Sequence, residues 1–335
     1  MKLLLIRFSS IGDIVLTTPV LRCIRRQYPD AEIHFLVKQS FKAVVAHNPH
    51  IDVIHTLDKD LNANIETLKK IGFDYVIDLH RNLRTMRVKR AIDAPALTFD
   101  KLNFRKWLYV NFKWNVMPDK SIVDRYFEGM RPLKLQNDGQ GLDYFIAPQQ
   151  ETRQDDIPMG HWAGFIACVI GGSYATKKFP VSKWRELAQQ SPYPMILLGG
   201  PEDRDEGNEI AAVDPGKVYN ACGKFSLNES ADLVRRSKVV ITNDTGLMHI
   251  AAAYKKPVVS LWGNTTPEMG MFPYYGFNNL NQNVAQLSVI HEVKGLGCRP
   301  CSKIGYPSCP KKHFKCMVDI PVGPVIESVK KFWKL

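Results

Sequence analysis

The segment Val239-Val240-Ile241-Thr242-Asn243-Asp244-Thr245-Gly246-Leu247-Met248-His249-Ile250-Ala251-Ala252-Ala253 has the composition of an anion site. Its β-favouring run passes into small polar residues and then an Ala-rich apolar stretch, the pattern of a strand, a tight turn and a helix start. The first N–H groups of such a helix point outward with the positive end of the helix dipole behind them, and a diphosphate suits them. The plainer reading of Asp244 or Thr245 is as a cap on that helix. Near the start of the chain, Asp13 closes the loop after the first apolar run. A carboxylate there can act as general base toward an alcohol or simply favour a helix N-terminus by its charge. His80-Arg81-Asn82-Leu83-Arg84-Thr85 is a cationic turn whose arginine forks match carboxylates and phosphates, with a solvated basic turn as the alternative. Glu202, in Gly199-Gly200-Pro201-Glu202-Asp203, can accept hydrogen bonds from ribose hydroxyls or serve as a first-turn helix acid. Gly171-Gly172-Ser173 lets a ligand approach the backbone, and Lys177 follows it. Cys298, Cys301, Cys309 and Cys316 are separated by two, seven and six residues. The first pair has the spacing of a zinc half-site, with His313 as a spare ligand; a disulfide and a cysteine loop without metal stay open.

Such residues act together only if a scaffold brings strand ends to one place. Apolar runs at residues 1–7, 32–37, 52–57 and 75–79 alternate with helical or polar segments, as do those at 165–170, 195–198, 239–242 and 257–263. That alternation predicts parallel α/β sheets, and each candidate residue outside the cysteine loop lies at or just past a predicted strand end, where such sheets bind ligands. Residues 14–26, 184–189, 227–237 and 322–335 have helical spacing. Between 133 and 160 the chain turns polar, apart from a short strand expected at 142–146. The division therefore falls there, with residues 1–150 as one domain and 151–335, including the cysteine loop 298–316, as the other. Lys101, Arg105, Lys106 and Lys113 interleave with Phe104, Trp107, Leu108 and Phe112. A helix of that kind either lies against an anionic leaflet or packs with a wet face.

At 335 residues and 45% hydrophobic, the chain is long and apolar enough for two domains with separate cores. Forty-five Lys and Arg against 33 Asp and Glu leave +12, which favours a polyanionic partner: nucleic acid, an anionic membrane surface or a phosphorylated glycolipid. No apolar run approaches the ~18 residues of a membrane span, and the expected location is cytoplasmic. The first loop has Gly12 alone, so the fingerprint of spaced glycines is absent, as is a Walker loop; this argues against a nicotinamide enzyme or an ATPase. Cys23, Cys168 and Cys222 read as small core residues.

Phe8-Ser9-Ser10-Ile11-Gly12-Asp13-Ile14-Val15 and Asn243-Asp244-Thr245-Gly246-Leu247-Met248-His249, with Trp262-Gly263-Asn264-Thr265-Thr266-Pro267 downstream, together resemble the hallmark motifs of the bacterial lipopolysaccharide heptosyltransferase family. The resemblance spans nearly the whole chain. It implies the GT-B glycosyltransferase architecture: two Rossmann-like α/β domains facing across a cleft, with a C-terminal helix packing back toward the first. It also implies inverting, metal-independent transfer of a sugar, heptose from ADP-heptose, to the lipopolysaccharide inner core. Asp13 is then the base. Lys177, which precedes an aromatic-Pro pair, joins Glu202, Asp244, Thr245, Gly246 and His249 in holding the nucleotide-sugar donor. Ser10, Gly12, Arg81, Asn82 and Arg84 face the acceptor, an acidic or phosphorylated sugar on an anionic glycolipid. The partners expected are these substrates and an anionic inner-leaflet surface, for a monomer that binds no nucleic acid. Two rival readings remain: a sugar-nucleotide epimerase of the same architecture, and a basic nucleic-acid-binding protein with a zinc module. The second has the charge and the cysteines but no recognised nucleic-acid motif.

Overall fold

Strands form where apolar runs are covered on both faces, as parallel sheets require. In this computed structural model, which describes residues 1–57, 60–277 and 279–334, β1 (Lys2–Ile6), β2 (Glu32–Lys38), β3 (Val53–Leu57), β4 (Tyr75–Asp78) and β5 (Ala96–Thr98) form one sheet in the order β3-β2-β1-β4-β5. A second sheet contains β6 (Ile166–Val169), β7 (Met195–Leu198), β8 (Val218–Asn220), β9 (Val239–Asn243), β10 (Val258–Trp262) and β11 (Ser288–Glu292), in the order β11-β10-β9-β6-β7-β8. The pairings in both sheets are parallel. Each sheet starts in its middle, builds out to one side, then returns to build the other. That leaves a switch point between β1 and β4 and another between β6 and β9, the crevices where open α/β sheets bind ligands.

The cores are less separate than the sequence suggests. One apolar cluster includes Leu3, Phe35 and Ile77 of the first sheet together with Val240, Met248 and Tyr274 of the second half. Only the outer layers are distinct, Leu4, Ile6 and Leu68 on one side and Cys168, Trp184 and Leu197 on the other. The inner layers merge because the helix Ile11–Val15 crosses the helix Gly246–Ala253 closely. Two glycines permit it: a Cβ on Gly246 would stand 2.7 Å from Ile11, and one on Gly12 only 2.5 Å from the His249 ring.

Three other expectations are corrected. The helical spacing of residues 14–26 resolves into two helices, Ile11–Val15 and Thr18–Gln27, the second opening with Pro19 where a missing N–H costs nothing. Residues 142–146 are not a strand. Leu142 and Tyr144 are buried, but Asp143 donates its N–H to the Thr18 hydroxyl (2.9 Å) and pairs with Arg22, so side chains of the first domain rather than a neighbouring strand hold this connection. The C-terminal helix, Val322–Trp333, does not pack back toward the first domain: Val325, Ile326, Val329 and Phe332 are buried in the outer core of the second, and Trp333 stacks on Tyr193. Its apolar stripe finds a covered surface on the sheet that its own chain segment has just left. Leu335 lies outside the described residues. Among those described, no helix is long and apolar enough to cross a membrane.

Candidate active site

The loop after β1 leads from Arg7 to Asp13. Arg7 is buried, and a buried guanidinium needs acceptors. It donates from Nε to the Ser9 carbonyl (2.9 Å), from Nη1 to the Leu79 carbonyl at the end of β4, and pairs through Nη2 with Asp13 Oδ1 at 2.5 Å. The other Asp13 oxygen accepts from the Ser10 hydroxyl (2.7 Å) and the Ser10 N–H (3.2 Å). Burial alone would raise the Asp13 carboxyl, but Arg7 and the Ser10 donors outweigh it and hold the group at about 2. The two readings of Asp13, base and helix acid, therefore meet in one residue: it completes a capping box and stands ionised at the first switch point.

Beyond β4, buried Asp78 accepts the N–H groups of His80 (3.0 Å) and Arg81 (2.7 Å) and so shapes the cationic turn. Arg81 is anchored to the Phe99 carbonyl at 2.8 Å, while Arg84 is exposed. Asn82 is committed otherwise: its side chain accepts the Thr85 N–H at 3.0 Å and caps the helix Leu83–Ala91. Further cations complete this side; sequence reading takes Lys101 and Lys106 only as part of an amphipathic helix and does not single out Arg125. Lys101 donates to the Arg81 carbonyl at 3.0 Å. Buried Arg125 donates from Nη2 to the Met269 carbonyl at 3.0 Å, while its Nε and Nη1 have no partner in the protein. Burial pushes the Lys106 ammonium down to about 7, and Arg125 adds to the effect. Crowded, desolvated cations of this kind favour an anion among them. Their spacing along the chain, in a segment that reads as an ordinary amphipathic helix, carried no signal of that convergence.

On the other side, β9 ends in Asn243, which is buried and ties two strand ends together. It accepts the Phe179 N–H (3.0 Å) and donates to the Val169 carbonyl (3.2 Å). Thr245 is extended, and its side chain makes no capping bond, so the first amides of the helix Gly246–Ala253 stay available to an anion. Asp244 is not a cap either. Its Oδ2 pairs with Lys177 Nζ at 2.6 Å and accepts from the Thr265 hydroxyl at 2.9 Å. Lys178, by contrast, is held by Asp203 (2.9 Å) and Glu206 (2.5 Å). Glu202 is exposed at the turn after β7, where its neighbour Asp203 accepts the Gly200 N–H at 2.9 Å. Burial pushes the His249 imidazole down to about 4, so it is neutral; its Nδ1 has no protein partner and its ring lies against Gly12.

The cysteine loop braces this side. Arg299, another residue that spacing did not reveal, donates to the carbonyls of Gly263 (2.6 Å) and Thr265 (2.9 Å) and pairs with Glu292 at 2.6 Å. The Tyr306 N–H donates to the Thr176 hydroxyl at 2.8 Å, fixing the turn that presents Lys177. Cys298, Cys301, Cys309 and Cys316 are free thiols, with Cys298 Sγ 3.7 Å from His313 Nε2. Among the described residues, no group of three or more His, Cys, Asp or Glu is placed to hold a metal ion.

Two parallel sheets whose switch points face each other, an ionised carboxylate beside one and an anion-ready helix beside the other, define the GT-B class of glycosyltransferase. The sequence model of glycosyltransferase family 9 (heptosyltransferase) matches residues 62–295, and the chain belongs to that family. It is 37% identical to the lipooligosaccharide heptosyltransferase 2 of Haemophilus influenzae, over 80% of this chain and 85% of that one. The structure of the E. coli ADP-heptose lipopolysaccharide heptosyltransferase II shares the fold, with a TM-score of 0.73 and 20% identity over 100% of this chain and 99% of that one. So does E. coli heptosyltransferase WaaC with ADP, with a TM-score of 0.71 and 20% identity over 99% and 100%. The family membership leaves neither the epimerase nor the nucleic-acid reading favoured.

Proposed function

We propose that this glycosyltransferase moves heptose from ADP-heptose to the lipopolysaccharide inner core by a single displacement with inversion. The observation that carries the reading is the crossing of the two short helices, which sets Asp13 opposite the Asp244–His249 turn. Residues 1–150 take the acceptor and 151–335 the donor. The diphosphate lies on the free amides at Gly246, with Lys177 held ready by Asp244, whose carboxylate Thr265 steadies, and Glu202 takes the ribose. Arg81, Arg84, Lys101, Lys106 and Arg125 draw the acidic acceptor beside Ser10 and Gly12; Asn82 contributes through the helix it caps. The acceptor hydroxyl attacks the anomeric carbon, the bond to the diphosphate oxygen breaks with its electron pair, and the hydroxyl proton passes to Asp13. A carboxylate held at about 2 is a weak base. That suits an oxocarbenium-like transition state, in which the attacking hydroxyl turns acidic before its proton leaves. Helix amides and Lys177 stabilise the leaving diphosphate electrostatically. Double displacement would need a second carboxylate under the anomeric carbon, and Asp244 is engaged by Lys177 and Thr265. ADP in the E. coli neighbour supports adenine as the donor base. The reading places a monomer at work in the cytoplasm. Its test is transfer from ADP-heptose to an acidic inner-core sugar, with the product's anomeric configuration read by NMR. Inverted product is expected; a retained configuration, or transfer only from UDP or GDP sugars, refutes the reading.

The cysteine loop supports a separate proposal, structural zinc on Cys298, Cys301, Cys309 and Cys316. It rests on the Cys-x-x-Cys spacing and on four free thiols in one loop, which zinc would have to draw together from the places they hold here. Elemental analysis of protein purified without added metal is expected to find about one zinc per chain. Folded protein without zinc removes this proposal and leaves the transferase reading intact.

A further inference from the structure

The helix Asn103–Phe112 buries none of its residues, although it carries the most aromatic sequence in the chain. Phe104 is 70% exposed, Trp107 50% and Trp114 63%, values at which a soluble protein normally shows Lys or Glu. These rings form one surface rather than scattered side chains. Phe104 and Trp107 stack at 6.0 Å, Trp107 meets Phe112 at 5.3 Å, and Phe112 meets Trp114 at 5.4 Å. The cysteine loop extends the surface from the second domain, for Lys113 Nζ donates to the Pro300 carbonyl at 2.8 Å, and Ile304 and Tyr306 are exposed there. Residues 101–117 and 293–318 together contain ten Lys and Arg and not one Asp or Glu, and nine of these cations remain for the surface once Arg299, paired with Glu292, is set aside. Most of the chain's net charge of +12 is matched by these two segments, which border the side of the cleft where Lys101 and Lys106 lead to Asp13.

We propose that Phe104, Trp107, Phe112 and Trp114, rimmed by the cations of residues 101–117 and 293–318, form a docking surface for an anionic phospholipid bilayer. Chemistry selects that occupant. Aromatic rings prefer the headgroup boundary to either water or hydrocarbon, and a rim of cations without acids matches anionic headgroups but repels a second copy of itself. The surface lies beside the acceptor cleft, so docking would present a sugar carried on a membrane lipid to Asp13 without drawing the lipid out of the bilayer. This last step rests on the transferase reading; the docking itself does not.

The test uses the full-length protein and vesicles that contain no acceptor. Co-sedimentation with phosphatidylethanolamine–phosphatidylglycerol vesicles is expected to exceed that with phosphatidylcholine by about tenfold and to fall steeply with salt. Brominated lipid is expected to quench tryptophan fluorescence in the wild-type protein. The triple variant Phe104→Ser, Trp107→Ser, Trp114→Ser should lose about tenfold in vesicle binding while keeping its melting temperature and its rate on a deacylated, water-soluble acceptor. Absence of vesicle binding, binding indifferent to the triple variant, or a wild-type self-association that the variant abolishes would each overturn the proposal. Vesicle binding by a protein that transfers no heptose would sink the transferase reading and leave the surface standing.

Discussion

Asp13 owes its chemical state to Arg7. Arg7 is buried and Asp13 half-buried, the guanidinium is always charged, and the carboxyl is held at about 2, below its ordinary 3.8. The wild-type acid limb of kcat/KM that belongs to Asp13 is therefore expected below pH 4. Arg7→Met leaves burial opposed only by the Ser10 donors and should move that limb upward by at least about one unit, whereas Arg7→Lys keeps the charge and should restore most of the shift. An unchanged profile in Arg7→Met would mean that Asp13 does not titrate in the rate. The two adjacent lysines make a second contrast. Lys177→Ala is expected to weaken donor binding by about tenfold or more and to slow transfer, because an ammonium on the leaving diphosphate is lost. Lys178→Ala should instead act mainly on stability by freeing Asp203, which is buried. Isothermal titration with ADP alongside thermal unfolding separates the two, and the reverse ranking would exchange their roles.

At the scale of elements, the helix crossing is the feature on which the site depends. Gly12→Ala would place a methyl carbon 2.5 Å from the His249 ring. Relief requires the two helices to part, so a loss of about 1–3 kcal/mol is expected, with kcat falling more than ADP affinity because the substituted residue lies on the acceptor side. Chemical denaturation and single-turnover transfer measure the two effects; an unchanged kcat would show that the crossing does not set the reacting distance. The strands and their loops were legible in the sequence, since parallel strands buried on both faces read as short apolar runs and their ends carry the polar motifs. Asp13, Lys177 and the Asp244–His249 turn were legible for the same reason, as they sit at strand ends. Arg7 was not, because an Arg closing an apolar strand looks like its exposed last residue. Lys106, Arg125 and Arg299 were not either, since their meaning comes only from which distant carbonyls and cations they meet. The apparent strand at 142–146 had the alternation of a strand, but Thr18 and Arg22 rather than a sheet edge hold it.

For the whole molecule, the connection between the halves is an electrostatic clamp. Arg22, buried, pairs with Asp138 at 2.8 Å and with Asp143, and donates to the Gly141 carbonyl at 2.8 Å. Arg22 and Arg26 hold the Asp138 carboxyl well below the usual range despite some burial. A depressed carboxylate stabilises the fold above its unfolded value and loses that contribution as pH falls through its folded value. Asp138 and Asp13 both act in this sense, so stability is expected to hold to about pH 4 and to fall steeply below it. Arg22→Leu should cost about 3 kcal/mol at neutral pH and flatten the acid transition, as read by denaturant melts across pH. A melt in which wild type and Arg22→Leu lose stability in parallel with acid would contradict the clamp.

The central claim is that Asp13 takes the acceptor's proton from one side of the cleft while the donor is held from the other. Asp13→Asn preserves shape and removes the base. Single-turnover transfer from ADP-heptose, measured with ADP affinity on the same protein, tests it most directly. A rate loss of about a hundredfold to ten-thousandfold is expected, with ADP affinity within about twofold of wild type. Turnover close to wild type, or a loss of ADP binding that matches the loss of rate, would contradict it.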